Sequence, residues 1–262
     1  MLPENTLKEQ VAIITGGGTG LGRAMALEYA RLGAKLVLAS RNAEHLEPTV
    51  AEIQKAGGEA ISVPTDVRDP AQVDHLVARA KEKFAGIDIL VNNAAGNFVC
   101  KAENLSPNGW RAVVDIVLNG TFFCTRAVGR EMIAQGRGGK ILSVLATYAW
   151  TGGPGTVHSA AAKAGVLALT RTLAVEWAPY KIRVNAITPG AITTEGASSA
   201  LWGSPDAEKK LLAKIPVGRL GKPEEIALAA AYLVSPYADY INGENLTMDG
   251  GAWLGKGFLA VQ

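Results

Sequence analysis

Short, unbroken apolar runs recur along the chain, separated by longer stretches in which polar and apolar positions alternate at helical spacing. The runs at 11–15, 35–40, 60–66, 89–93, 140–145, 182–187 and 246–248 are continuous rather than alternating. That is the pattern of strands covered by helices on both faces. Helices are expected between them at 20–32, 43–56, 70–84, 107–134, 158–178 and 223–234. Two of these open on a proline, Pro70 after Asp69 and Pro223 ahead of Glu224 and Glu225, where a missing N–H does no harm and acidic side chains favour the helix dipole. Alternation of strand and helix predicts an α/β fold, a doubly wound parallel sheet of seven strands with right-handed crossovers. With no repeat and no shift in composition, residues 1–262 read as one domain. The segment 190–214 follows the sixth strand and contains no strand of its own. It is expected to cover the crevice at the strand carboxyl ends, where such sheets bind ligands.

Composition narrows the partners more than the fold. A formal net charge of +2 argues against a nucleic-acid groove or a polybasic membrane anchor. Cys100 and Cys124 set up no disulfide framework, so free thiols and a cytoplasmic setting are expected. No run approaches the roughly 18–20 apolar residues that cross a bilayer, and no signal-peptide core stands at the N-terminus. His45, His75 and His158 are scattered and no metal site is expected; His158 reads as solvated or locally structural.

The loops after the strands carry the candidate chemistry. Gly16, Thr19, Gly20, Leu21 and Gly22 lie between the first strand and its helix. Glycines there permit a tight turn and close approach of the backbone to a pyrophosphate at a helix N-terminus. The second strand ends in Ser40 and Arg41, with no acid to bind the ribose hydroxyls. Arg41 can instead pair with a 2′-phosphate, so NADPH is expected; the alternative is an arginine on an exposed loop. Asp66 and Val67, at the end of the third strand, suit the adenine edge. Asn93, Ala94 and Ala95 suit the adenosine half, with the Asn amides fixing nearby backbone. Pro189, Gly190 and Ile192 suit the nicotinamide amide.

Together with Thr15, Asn92, Asn119, Lys163 and Asn185, and in this order, these residues resemble the short-chain dehydrogenase/reductase family over nearly the whole chain. The resemblance implies a Rossmann fold that binds a dinucleotide. Usual members work with Ser, Tyr, Lys and Asn. Aligned on Lys163, the usual Tyr position holds Ser159 and the usual Ser position holds Ala146, while Asn119 and Lys163 remain. The nearest upstream tyrosine is Tyr148, fifteen residues before Lys163. Residues 92–98, 105–108, 115–121 and 159–163 look like the 2,4-dienoyl-CoA reductases, nearest to the mitochondrial type, which also places a Tyr fifteen residues before the Lys. That subgroup implies NADPH-dependent reduction of a 2,4-dienoyl-CoA to a trans-3-enoyl-CoA in unsaturated fatty-acid β-oxidation, and a homotetramer. It implies that Tyr148 and Asn97 bond the thioester carbonyl and that Lys163 and Ser159 hold cofactor or nearby groups. Asn119 completes the catalytic set, and Phe98 is placed beside Asn97 as a substrate contact.

Several readings stay open in the sequence. The glycine-rich turn 151–155 lets Tyr148 fold back into the cleft, or Tyr148 packs on a neighbour and Ser159 caps its helix. Asn119 is read as bonding backbone or water near Lys163, and Asp115, on the same helix face, as structural. Trp150, Trp202 and Trp253 read as packing. Lys209, Lys210 and Lys214 read as a solvated face or as contacts to CoA phosphates. The rival functions are another short-chain reductase acting on a 2-enoyl or 3-oxoacyl thioester, and a non-catalytic NADP-binding protein. Ala146 and Ser159 argue against the 3-oxoacyl case.

Overall fold

The computed structural model describes residues 2–193 and 205–254. Its centre is one parallel sheet with strand order β3-β2-β1-β4-β5-β6-β7. The strands are β1 (Val11–Thr15), β2 (Lys35–Ser40), β3 (Ala60–Pro64), β4 (Ile89–Asn92), β5 (Gly139–Val144), β6 (Ile182–Pro189) and β7 (Asn245–Met248). Side chains alternate across the sheet, so each strand feeds two cores. Ala12 and Ile14 of β1 enter one with Leu36 and Leu38; Val11 and Ile13 enter the other with Val37 and Ala39. The first core is closed by α1 (Gly20–Arg31), α2 (Ala43–Lys55) and α9 (Pro223–Val234), the second by α3 (Pro70–Phe84) and α5 (Gly120–Gln135). Continuous apolar runs are what this two-sided burial demands. The order reverses direction between β1 and β4, which opens a crevice at their carboxyl ends.

Several boundaries differ from expectation. β3 stops at Pro64, because the Asp66 carboxylate accepts from the Arg68 N–H at 3.0 Å and turns the chain. β6 runs two residues further, to Pro189, paired with Met248 of β7. The expected helix 107–134 is three pieces: α4 (Pro107–Val114), a π-helical segment Asp115–Asn119, and α5. The Gly120 N–H reaches back to the Asp115 carbonyl, a wider turn that absorbs one extra residue. Contrary to expectation, Pro107–Gln135 is long and apolar enough to cross a bilayer by length and composition, with a mean hydropathy of 1.3 over a span-length window; Val113, Val117, Cys124 and Val128 lie in the core.

Two further helices matter for the site. A single turn, α6 (Tyr148–Thr151), follows β5 and was not foreseen, and α7 (Val157–Glu176) starts after the glycine-rich turn. In the expected covering segment 190–214, Ile192 bridges to Gly221 beyond it and helix α8 (Pro205–Leu212) forms; residues 194–204, Trp202 among them, lie outside the described residues. The Asp249 carboxylate bonds the N–H groups of Gly251 and Trp253, so the 249–251 turn is locally built. Trp150 and Trp253 pack ring edge to ring face at 5.8 Å.

Candidate active site

A cleft of about 790 Å³ opens at the crevice. Gly16, Thr19, Gly20, Leu21, Ser40, Arg41, Asp66, Val67, Asn93, Ala94, Ala95, Pro189, Gly190 and Ile192 all line it. These residues converge because each ends a strand or lies in the loop or helix start that follows one, and parallel strands end on one side.

The glycine-rich turn is shaped to receive a phosphate. A Cβ at Gly22 would sit 2.0 Å from the Gly16 carbonyl oxygen, so only glycine lets the first turn of α1 close on the loop. The Asn93 amide donates to the carbonyls of Thr15 and Gly16 at 3.0 and 3.1 Å. Thr15, missed as a site residue, has a buried hydroxyl that accepts from the N–H groups of Asn93 and Ala94 at 3.0 Å each. It thereby ties the ends of β1 and β4 together. Its position at a strand end was the available signal. Asn42, His45, Thr65, Val144 and Thr156 also line the cleft unforeseen; they too follow, end or flank strands and turns.

At one end of the cleft, Arg41 is exposed on the rim and the Ser40 hydroxyl donates to the Asn42 carbonyl at 3.0 Å. Asp66 borders the same region, gripped by the Arg68 guanidinium through both carboxylate oxygens. That grip, outweighing partial burial, holds the Asp66 carboxyl below the usual range.

The other end holds the displaced tyrosine. Tyr148, half-buried on α6, lines the cleft beside Leu145 and Ala146. Its hydroxyl lies 3.0 Å from that of Ser159. Ser159 is buried inside the first turn of α7, whose N-cap position is Thr156; it meets the phenol and is not the cap residue. Asn97 lines the cleft opposite. Its Oδ1 accepts from the Phe98 N–H at 2.9 Å, which leaves the amide NH₂ free to donate.

Besides Ser159, which reaches the cleft only through the phenol, three expected residues stand back from the cleft wall. Phe98 is partly exposed and packs T-shaped on His158 with centroids 4.5 Å apart. His158 itself is fully buried rather than solvated. The Asn119 amide donates to Asp115 at 2.8 Å across the π-helical turn, rather than to backbone near Lys163. Lys163 is buried and donates to the Val144 carbonyl, a cleft-lining residue. Burial lowers its pKa to about 8. Lys209, Lys210 and Lys214 are exposed.

These features define a dinucleotide-dependent oxidoreductase, and the chain belongs to the short-chain dehydrogenase/reductase family. A family model described as enoyl-(acyl carrier protein) reductase matches residues 16–252. A Bacillus subtilis relative, 52% identical over 249 residues and covering 95% of this chain and 98% of its own, is named probable 2,4-dienoyl-CoA reductase [(2E)-enoyl-CoA-producing]. A Caenorhabditis elegans relative, 42% identical over 96% of this chain and 82% of its own, is named probable 2,4-dienoyl-CoA reductase 3 [(3E)-enoyl-CoA-producing]. The crystal structure of a putative 2-deoxy-d-gluconate 3-dehydrogenase from Agrobacterium tumefaciens with bound NADP superposes with a TM-score of 0.89. It is 38% identical and covers 97% of this chain and 100% of that one.

Proposed function

We propose that this protein is an NADPH-dependent 2,4-dienoyl-CoA reductase. The observation that carries the reading is the placement of donors: the Tyr148 phenol, backed by Ser159, and the Asn97 amide open onto one cleft beside Lys163. The glycine cradle at Gly16 and Gly22 fits a dinucleotide pyrophosphate, Arg41 a 2′-phosphate, and Pro189 and Gly190 the nicotinamide end. The reduced nicotinamide supplies hydride for the δ carbon of the dienoyl thioester. The conjugated system then carries negative charge to the thioester oxygen. Preorganised donors stabilise such charge strongly in a site with little water. With Ser159 donating to the Tyr148 oxygen, the phenol proton is free to bond the thioester oxygen, and Asn97 supplies a second N–H. A proton from water at the α carbon completes the reduction to trans-3-enoyl-CoA. The thioester oxygen never becomes an alcohol, so no Tyr is needed four residues before Lys163.

The test is NADPH oxidation with 2,4-hexadienoyl-CoA, crotonyl-CoA and acetoacetyl-CoA side by side, with the product double bond located by NMR. Turnover of the diene to the 3-enoyl product is expected. A 2-enoyl product, as in the name of the Bacillus relative, would move protonation to the γ carbon. Crotonyl-CoA as the sole substrate would favour the second reading, a 2-enoyl thioester reductase, for which the description of the matching family model speaks.

Two further outcomes are expected of the same assay. Arg41→Ala raises KM for NADPH by about ten- to a hundredfold, the loss of a hydrogen bond to a charged group, and leaves KM for NADH unchanged. An equal rise for both would remove Arg41 from phosphate recognition. Lys163 is charged below pH 8 and neutral above it in the folded protein, so kcat/KM falls as pH rises through about 8. A profile flat to pH 9.5 would mean that its charge is not used.

The exposed apolar side chains of Trp110 on α4, Phe122 on α5 and Val175 on α7 support a homotetramer packed through these helices, which light scattering tests. The free thiols Cys100 and Cys124 suit a cytoplasmic enzyme.

A further inference from the structure

His158 is fully buried, and neither ring nitrogen has a hydrogen-bond partner among the described residues. A buried polar ring with no partner costs stability, so whatever His158 contributes here comes from its ring and not from its nitrogens. Its one aromatic neighbour is Phe98, in T-shaped contact at 4.5 Å and 73°. The tip of the Phe98 ring abuts Gly109 of α4, where an added Cβ would come within 3.1 Å. The ring is thus held between two helices. Phe98 in turn governs Asn97, because its N–H binds the Asn97 Oδ1 and so sets which way the amide NH₂ faces.

A second contact joins the same two segments. The Cys100 N–H donates to the Gly155 carbonyl at 2.9 Å, and a Cβ at Gly155, where φ is +76°, would lie 2.9 Å from Val99 Cγ1. The loop carrying Asn97 is therefore latched to the start of α7. That helix turn also carries Ser159, which meets Tyr148.

We propose that His158 is a positioning residue, whose ring clamps Phe98 and thereby fixes the Asn97 amide relative to the Tyr148–Ser159 pair. The proposal rests on the dienoyl-CoA reductase reading, in which Asn97 and Tyr148 bond one thioester oxygen. The ring's shape and edge-to-face contact do the work, and its nitrogens are dispensable.

The test compares His158→Phe and His158→Leu, alone and with Asn97→Ala, using NADPH and 2,4-hexadienoyl-CoA. Both single variants remove the unpartnered nitrogens, so both are expected to melt no earlier than the wild type. His158→Phe keeps an aromatic ring and retains kcat. His158→Leu lowers kcat by about tenfold or more, the scale of a misplaced reacting group, with NADPH affinity by fluorescence unchanged. Its Phe98 and Cys100 amides exchange hydrogen faster. In the Asn97→Ala background, His158→Leu has no further effect, since contributions through one residue are not additive. Wild-type kcat in His158→Leu would overturn the proposal, as would an equal fold loss with and without Asn97. Absence of diene turnover in the unaltered protein would overturn the underlying reading, and the proposal with it.

Discussion

Tyr148→Phe is expected to turn over 2,4-hexadienoyl-CoA at about a hundredth of the wild-type rate or less, the usual result of removing one preorganised donor to a developing oxyanion. The phenyl ring fills the same volume, so α6 and the neighbouring Trp150 keep their places. The Ser159 hydroxyl loses its partner but remains within a helix turn. NADPH affinity stays at its wild-type value, because the pyrophosphate turn and Arg41 lie at the other end of the cleft. The measurement is kcat with saturating substrate, beside cofactor binding by fluorescence. Near-normal kcat would take the phenol out of the chemistry and leave Asn97 as the sole side-chain donor in this account.

Lys163→Met is expected to separate stability from activity. Burial lowers the Lys163 pKa from 10.5 to about 8. Holding its charge in the fold at pH 7 therefore costs roughly 3 kcal/mol at about 1.4 kcal/mol per unit. Methionine removes that cost but leaves the Val144 carbonyl without its donor, returning about 1 kcal/mol. The net gain, about 2 kcal/mol, raises Tm by about 5 °C in a chain this long, while turnover falls on the order of a hundredfold or more. The pH dependence follows from linkage. Below about pH 8 Lys163 is charged in both folded and unfolded chains and the full cost is present. Between 8 and 10.5 the unfolded chain holds the extra proton, so wild-type stability rises with pH. The stability advantage of Lys163→Met is thus largest below pH 8 and shrinks towards 10.5. Calorimetry at pH 7 and 10 reads it directly; a variant that melts earlier at pH 7 would mean that the Val144 bond outweighs burial.

The sheet and the loop positions that line the cleft were legible because both depend on local pattern. A buried parallel strand reads as an unbroken apolar run, and the residue after it faces the crevice whatever the rest of the fold does. Hence Gly16, Arg41, Asp66, Ala94 and Gly190 were placed by position alone. The substrate end was legible only as a list of side chains. That Ser159 meets the phenol instead of capping α7 depends on how the turn after α6 reverses the chain. Asn119 turns to Asp115, four residues away on the same helix face, and no composition signal says which of the partners within reach the amide takes. Whether His158 is solvated or locally structural was open for the same reason: its buried ring packs against Phe98, sixty residues earlier in the chain.

The 3.0 Å contact between Tyr148 and Ser159 also constrains the ancestry of such sites. A tyrosine placed at 159 would extend its ring into the space that the Tyr148 hydroxyl occupies, so one chain cannot carry both phenols in working positions. A lineage that moves between carbonyl reduction and reduction of a conjugated thioester must vacate one position before filling the other. Its intermediate then has no phenol at either position. The Lys163 ammonium and the cofactor cradle are unchanged by that exchange, so the intermediate still folds and binds its dinucleotide while it waits for the second substitution.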